Sequence, residues 1–357
     1  MTSLATQFAK NLNRTNLDEF NFFLTKVLER TEYQYGLRDE YVQPENCPAL
    51  GESVEYFSPL ITADDRMRYI IENIVSCPDL SESNKIGNTT ISHFYGARGI
   101  HSTVTGIDDP KKAHVDFDRI ASGDKTYMET IRVQIETAKK QKKKFYGTTE
   151  LHTSIQTAAR NYCRQKYDDP NRLASNADII EWIASWVSSG FMDRILNDAT
   201  SLQKMYHILR SQPGIGEYYG YHCATSNSVN PRLPYQHDEA FCVPGPGAKD
   251  TLDFLFPTWQ GKRPYGDMVV WLRENQDDFF GNLVFHEFFH NFDVAGSKVF
   301  AEDQNTMKVY GTEVSCCQFG VYRHLVKNPH LAAKRQVARN EPDSLKNVVK
   351  SPLDELF

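Results

Sequence analysis

Several short stretches of this sequence hold reactive or ligand-binding residue types at spacings that chemistry can use. The run Pro213-Gly214-Ile215-Gly216 joins two helical patterns, 199 to 211 and 217 to 225. Its two glycines let the backbone bend with its amides outward, Ile215 can plug between the helices, and the second helix presents its positive end to a phosphate. The same run also serves as an ordinary joint between helices. After one helix and a short loop come His237, Asp238 and Glu239. A carboxylate there can act as a base or stabilise positive charge, or simply cap a turn. Pro244-Gly245-Pro246-Gly247-Ala248-Lys249 stands directly before a helical pattern, so its amides, the helix dipole and Lys249 can receive an anion. Read without chemistry, it is a rigid turn. Glu313, Gln318 and Tyr322 lie on one expected helix, though not all on one face.

A fifth stretch competes with these. His286-Glu287-Phe288-Phe289-His290 spells HExxH between apolar flanks. On a helix His286 and His290 would share a face and bind Zn²⁺ while Glu287 activates water, the arrangement of a metallopeptidase, with Glu302 or Glu313 as third ligand. The pattern fixes only three positions and no Gly-x-x-His completes the longer form, so it stands as an alternative. His286 and His290 could equally touch substrate.

The elements that must position these residues read as helices throughout. Leu17 to Arg30 after an Asn16 cap, Ala63 to Val75 and Tyr127 to Lys144 show helical periodicity. So do 177–188, 249–256, a stretch near 283–292 and 314–326. Residues 86–112 read as irregular, and no strand cluster suggests a sheet. The long helix ending near Gly147 finishes in Lys139, Lys140, Lys142, Lys143 and Lys144, a run that fits a solvated helix end complementing the dipole better than a DNA contact.

Composition narrows the class. Hydrophobic residues at 40% and charged residues at 24% fit a packed globular chain and exclude wholesale disorder. The apolar runs are too interrupted to span a bilayer, and the amino terminus lacks a secretory pattern, so a cytoplasmic location is expected, or the host cytoplasm if the protein is viral. Seven cysteines without a Cys-x-x-Cys pair encode neither a zinc knuckle nor an iron–sulfur cluster, and reduced, buried thiols are expected. No cofactor is expected. A net charge of −6 argues against a protein that coats nucleic acid, but a DNA enzyme needs only a local basic face.

The hairpin followed by Asp238 resembles the helix-hairpin-helix DNA glycosylase superfamily, in which the hairpin holds a phosphate and an aspartate at such a spacing faces a flipped nucleotide. Three features in order, Pro213 to His222, Phe241 to Ala248 and Glu313 to Tyr322, are similar to the α-glutamyl/putrescinyl thymine pyrophosphorylases, a phage-type family that finishes hypermodified thymines in DNA. The resemblance covers roughly residues 200–325. It implies that pyrophosphorylated 5-hydroxymethyluracil in DNA loses pyrophosphate as an amine, amino acid or polyamine, joins the exocyclic carbon. Such a reaction asks for a flipped base, a cradle for the departing anion and a carboxylate to take the amine's proton.

The fold expected is therefore all-α and helix-hairpin-helix glycosylase-like, with further helices at both ends. A helical region at 1–170, a glycosylase-like core at 171–260 and a carboxyl-terminal region at 261–357 would frame a cleft. Under the resemblance Asp238, Glu313 and His237 are the catalytic candidates, and Gly214, Ile215 and Gly216 contact DNA. Gly245, Gly247, Lys249 and Gln318 hold pyrophosphate and substrate. The alternatives are a glycosylase that excises a modified base, for which Asp238 would serve equally well, and the zinc peptidase of His286, Glu287 and His290.

Overall fold

The computed structural model describes residues 3–34, 38–40, 65–95, 99–143, 145, 153–173, 175–235, 240–280, 292–294, 297–300, 307–328 and 330. Among them the fold is all-α, with one small exception: strands β1 (Phe292–Val294) and β2 (Ser297–Phe300) pair antiparallel as a short hairpin. The chain forms two compact units. A central unit runs from Tyr69 to Asp238, and a terminal unit gathers the helices before Tyr69 with those after Glu239. These units do not follow the three consecutive stretches drawn from the sequence, because the first helices pack with the last ones.

In the terminal unit, α1 (Leu4–Asn11) and α2 (Arg14–Gln34) join α13 (Pro246–Leu255), α14 (Tyr265–Glu274), α15 (Gln276–Phe280) and α16 (Val309–Lys327). The sequence placed the α2 cap at Asn16. The structure gives the capping contact to Asn13, whose side-chain oxygen accepts from the Asn16 N–H at 3.1 Å, while the Asn16 amide donates to the Phe254 carbonyl at 2.6 Å. Either asparagine suits a cap by type, and the tertiary bond to Phe254 decides between them. Aromatic rings fill this core: Phe20 and Phe23 lie 5.0 and 5.3 Å from Phe319. Phe8 lies 5.5 Å from Trp271.

The central unit begins with a π-helical turn, Ile70–Val75, that continues the short α3 (Asp65–Tyr69). It then contains α4 (Glu82–Tyr95), α5 (Ile100–Thr105), α6 (Phe117–Ala121), α7 (Lys125–Lys140), α8 (Thr153–Tyr167), α9 (Asn176–Ser188), α10 (Phe191–Asp198), α11 (Leu202–Arg210) and α12 (Glu217–Asn227). Helix α9 is its spine. A capping box between Ser175 and Asp178 starts it, and Ile179, Ile180, Ile183 and Trp186 bury its inner face against α6, α8 and α10.

The stretch read as irregular, 86–112, holds most of α4 and all of α5. Helix α4 has no polar outer stripe to reveal its period: Asn84, Asn88, Thr90, Ser92 and His93 are all buried. They are satisfied locally. Asn88 donates to the Asn84 and Val115 carbonyls, both at 2.8 Å, and accepts the Val115 N–H at 2.9 Å. Asn84 accepts the Phe117 N–H at 2.6 Å. No helix among the described residues is long and apolar enough to cross a membrane, and the described cysteines are free thiols.

Candidate active site and DNA-contact hairpin

In the terminal unit, two of the singled-out stretches meet. Helix α13 starts with Gly245 at its N-cap and Pro246 in the first turn, where a missing N–H does no harm. The Gly245 N–H donates to Glu313 Oε1 on α16 at 2.9 Å. Glu313 is 1% exposed, and burial raises its carboxyl to about 7, against the opposing effect of the Gly245 N–H bond. A carboxyl poised there can exchange a proton at neutral pH.

Below Gly245 the helices touch backbone to backbone. A Cβ on Gly247 would lie 3.0 Å from both the carbonyl oxygen and the sulfur of Cys317. One on Gly320 would lie 2.5 Å from the Gly247 oxygen. Thr251 closes the contact by donating to the Cys316 carbonyl at 2.6 Å. Residues 313, 316, 317 and 320 thus form one face of α16, docked on the first two turns of α13. Burial and the neighbouring Glu313 push the Cys317 thiol up to about 12, although the Ala248 N–H bonds its sulfur. It is a packing thiol rather than a ready nucleophile.

The loop leaves fewer free amides for an anion than its sequence suggests. Gly245 N–H is given to Glu313, Ala248 N–H to Cys317, and Lys249 N–H to the Gly245 carbonyl at 3.0 Å. Gly247 N–H and the Lys249 side chain remain for a ligand. Lys249 is half-buried with its ammonium 5.9 Å from the Tyr265 ring centre, and Gln318 is half-buried one position beyond the docked face. His237, Asp238 and Glu239 lie outside the described residues, as do His286, Glu287 and His290.

In the central unit, the Pro213–Gly216 turn joins α11 to α12. Gly214 has φ +83°, a conformation that side chains disfavour, and a Cβ there would also lie 2.6 Å from the Ser154 carbonyl of α8. Ser154 Oγ donates to the Gly214 carbonyl at 3.0 Å. Ile215 is 4% exposed, plugged into the core. Gly216, the N-cap of α12, is exposed with open space where a Cβ would stand. The turn is thus braced from behind by α8 and open in front. Glu217 occupies the first turn of α12, 3.9 Å from Arg210, and puts a negative charge at the helix's positive end.

The family comparison adds what geometry cannot. Residues 117–329 match the family described as 5-hmdU DNA kinase, helical domain. The chain belongs to this family. Membership links the 5-hmdU DNA kinase helical-domain chain to modification of 5-hydroxymethyluracil in DNA, the theme that the sequence resemblance implied, but it does not name the pyrophosphorylase branch or an amine. The family region starts at the first residue of α6 and contains the hairpin, the Gly245–Lys249 loop and Glu313. No curated protein and no solved structure matches the chain.

Two polar clusters of this helical-domain protein escaped the sequence reading. In one, His93 Nε2 of α4 bonds Ser226 Oγ of α12, and the His222 ring lies 6.3 Å from that of His93 and 4.3 Å from that of Tyr218. The polar residues that recur through α4, from Asn84 to His93, were the available signal. In the other, Cys163, Asp178 and Glu181 bring ligand atoms within 4.8 Å of one another, as a metal site would. Its carboxylates are already engaged: Glu181 by Arg132, by Tyr167 and by Lys166 at 2.6 Å, and Asp178 by Arg172 at 2.8 Å. Burial alone would raise the Glu181 carboxyl, yet Lys166 and Tyr167 hold it below its ordinary value. This is an ion-pair network that ties α7, α8 and α9 together.

Proposed function

We propose that this protein replaces the pyrophosphate on pyrophosphorylated 5-hydroxymethyluracil in DNA with an amine, an amino acid or a polyamine. The observation that supports it best is the bond from Gly245 to Glu313: in a family tied to 5-hydroxymethyluracil, it joins the anion-receiving loop to a buried carboxyl that titrates near neutrality. The amine nitrogen forms a bond to the exocyclic carbon as the carbon–oxygen bond to pyrophosphate breaks, and the proton lost by the amine passes to the Glu313 carboxylate. Gly247 N–H, the positive end of α13 and Lys249 receive the departing pyrophosphate. Gln318 orients the amine or reads the pyrimidine edge. Gly214, Ile215 and Gly216 hold the DNA backbone, and Asp238, with His237, is assigned to the charge that develops on the flipped nucleotide.

A second reading has the family description in its favour: phosphorylation of the 5-hydroxymethyl hydroxyl. The 357 residues contain no GxxxxGK[ST] run to cradle a nucleotide triphosphate, so the amine-transfer reading is preferred. Two parallel incubations separate them. One supplies 5-hydroxymethyluracil DNA with ATP, the other pyrophosphorylated DNA with an amine panel. Pyrophosphate released only when an amine is present supports transfer; phosphate incorporated from ATP supports the kinase. Free base would instead mean glycosylase chemistry, and none of these products would leave the zinc-peptidase pattern of His286, Glu287 and His290 as the motif to test.

A further inference from the structure

Resting on the DNA substrate proposed above, we propose that the lysine turn closing α7 is a second binding surface for the DNA phosphate backbone in the central unit. As a sequence run these lysines look like a solvated helix end. Their arrangement is more specific. Lys139, Lys140, Lys142 and Lys143 are all exposed, and among the described residues only Lys139 has an acidic partner, Glu136 at 2.7 Å. Lys140, Lys142 and Lys143 make no ion pair among the described residues.

The turn is fixed. Gln141 N–H bonds the Thr137 carbonyl at 3.0 Å, Lys142 N–H that of Lys139 at 2.9 Å, and Lys143 N–H that of Ala138 at 2.9 Å, while Ala138 itself is 3% exposed. Lys142 sits at φ +55°, the left-handed closing position that glycine or asparagine takes with less strain. A lysine there carries roughly 1 kcal/mol of backbone strain, and it adds a charge to a site already crowded with like charges. The helix dipole offsets only the charges of the last turn. By contrast, three cations on the neighbouring helices and loop are neutralised: Arg132 and Lys166 by buried Glu181, Arg172 by buried Asp178. The lysine turn is therefore an ordered, uncompensated positive patch in a chain of net charge −6. Duplex DNA carries about one charge per 1.7 Å of axis, so a patch roughly one helix wide faces several phosphates at once.

The test is the salt dependence of binding to a duplex containing 5-hydroxymethyluracil, measured by fluorescence anisotropy. Wild type is compared with Lys140→Gln/Lys142→Asn/Lys143→Gln, where asparagine tolerates the positive φ. The triple variant should bind more weakly, with the slope of log K against log salt shallower by about 2–3. The double variant Lys140→Gln/Lys143→Gln, which leaves the turn residue untouched, should lose about 2. Replacing Lys111 and Lys112 by glutamine, exposed lysines of the same unit, should leave the slope unchanged. Wild-type binding with the same slope in all variants overturns the patch while the DNA substrate stands. Wild type that binds no DNA overturns both.

Discussion

Gly320 of α16 lies so close to Gly247 of α13 that a Cβ at position 320 would stand 2.5 Å from the Gly247 carbonyl oxygen. The atom met is backbone, so the helices must part to admit a side chain. Gly320→Ala should therefore destabilise the protein by about 1–3 kcal/mol, the range for overpacking, as read from denaturant unfolding. By stretching the bond from Gly245 to Glu313, it should also move the Glu313 titration further up. Gly247→Ala, which meets Cys317 at 3.0 Å, should act in the same direction more mildly.

Glu313 makes stability fall as pH rises. Its folded carboxyl is raised to about 7 from an ordinary value of 4.5, so the folded state holds its proton more tightly than the unfolded chain. The associated stability is fully present below about pH 4.5 and is lost as pH climbs through about 7, in total roughly 3 kcal/mol. Glu313→Gln can still accept from Gly245 and carries no buried charge. Its melting temperature should exceed that of wild type at pH 8, with the gap closing toward pH 5.

Glu181 has the opposite sign. Its carboxyl is held below the usual value, so its contribution is present above the unfolded carboxylate value and is lost as pH falls through the lower folded one. Glu181→Gln leaves Arg132 and Lys166 without their shared anion, and should cost about 3–5 kcal/mol near neutral pH. Urea unfolding of wild type and variant, compared from pH 7 into acid, measures the loss and its shrinking as pH falls.

The two hairpin glycines should separate stability from DNA binding. Gly214→Ala forces a side chain to φ +83° and against the Ser154 carbonyl, and should lower stability by about 2 kcal/mol or more. Gly216→Ala meets nothing within 4 Å and should change stability by less than about 0.5 kcal/mol. Under the proposed phosphate grip it should nevertheless weaken DNA binding, because the new methyl would fill the open space in front of the turn. Glu217→Gln should strengthen binding by removing the charge that opposes the phosphate. Anisotropy titrations beside thermal melts would show both effects.

What the sequence made legible was local. The Pro213–Gly216 turn and the Gly245–Pro246 start of α13 are written in turn and cap chemistry, which acts over a few residues. The bond from Gly245 to Glu313 spans 68 residues, and the one from His93 to Ser226 spans 133, so neither leaves a mark in spacing. Helix α4 stayed hidden because its polar residues face inward and find partners in the 115–117 backbone, which removes the polar stripe that periodicity needs. Helix α8 was missed too, and with it the brace behind Gly214. The cap of α2 moved from Asn16 to Asn13 because Asn16 serves the Phe254 carbonyl. In each case a tertiary partner decided between locally equivalent choices.

The proposed reaction depends on a neutral-range carboxyl at the head of α13 accepting the proton of an amine that displaces pyrophosphate. Its most direct test is mass spectrometry of nucleosides from DNA bearing pyrophosphorylated 5-hydroxymethyluracil, incubated with an amine panel and either wild type or Glu313→Gln from pH 6 to 8. Wild type should give an amine adduct whose rate of formation rises with pH through about 7, and the folded variant should lose it or show it strongly reduced. An adduct formed equally by both, or no adduct from wild type with any amine, would contradict it.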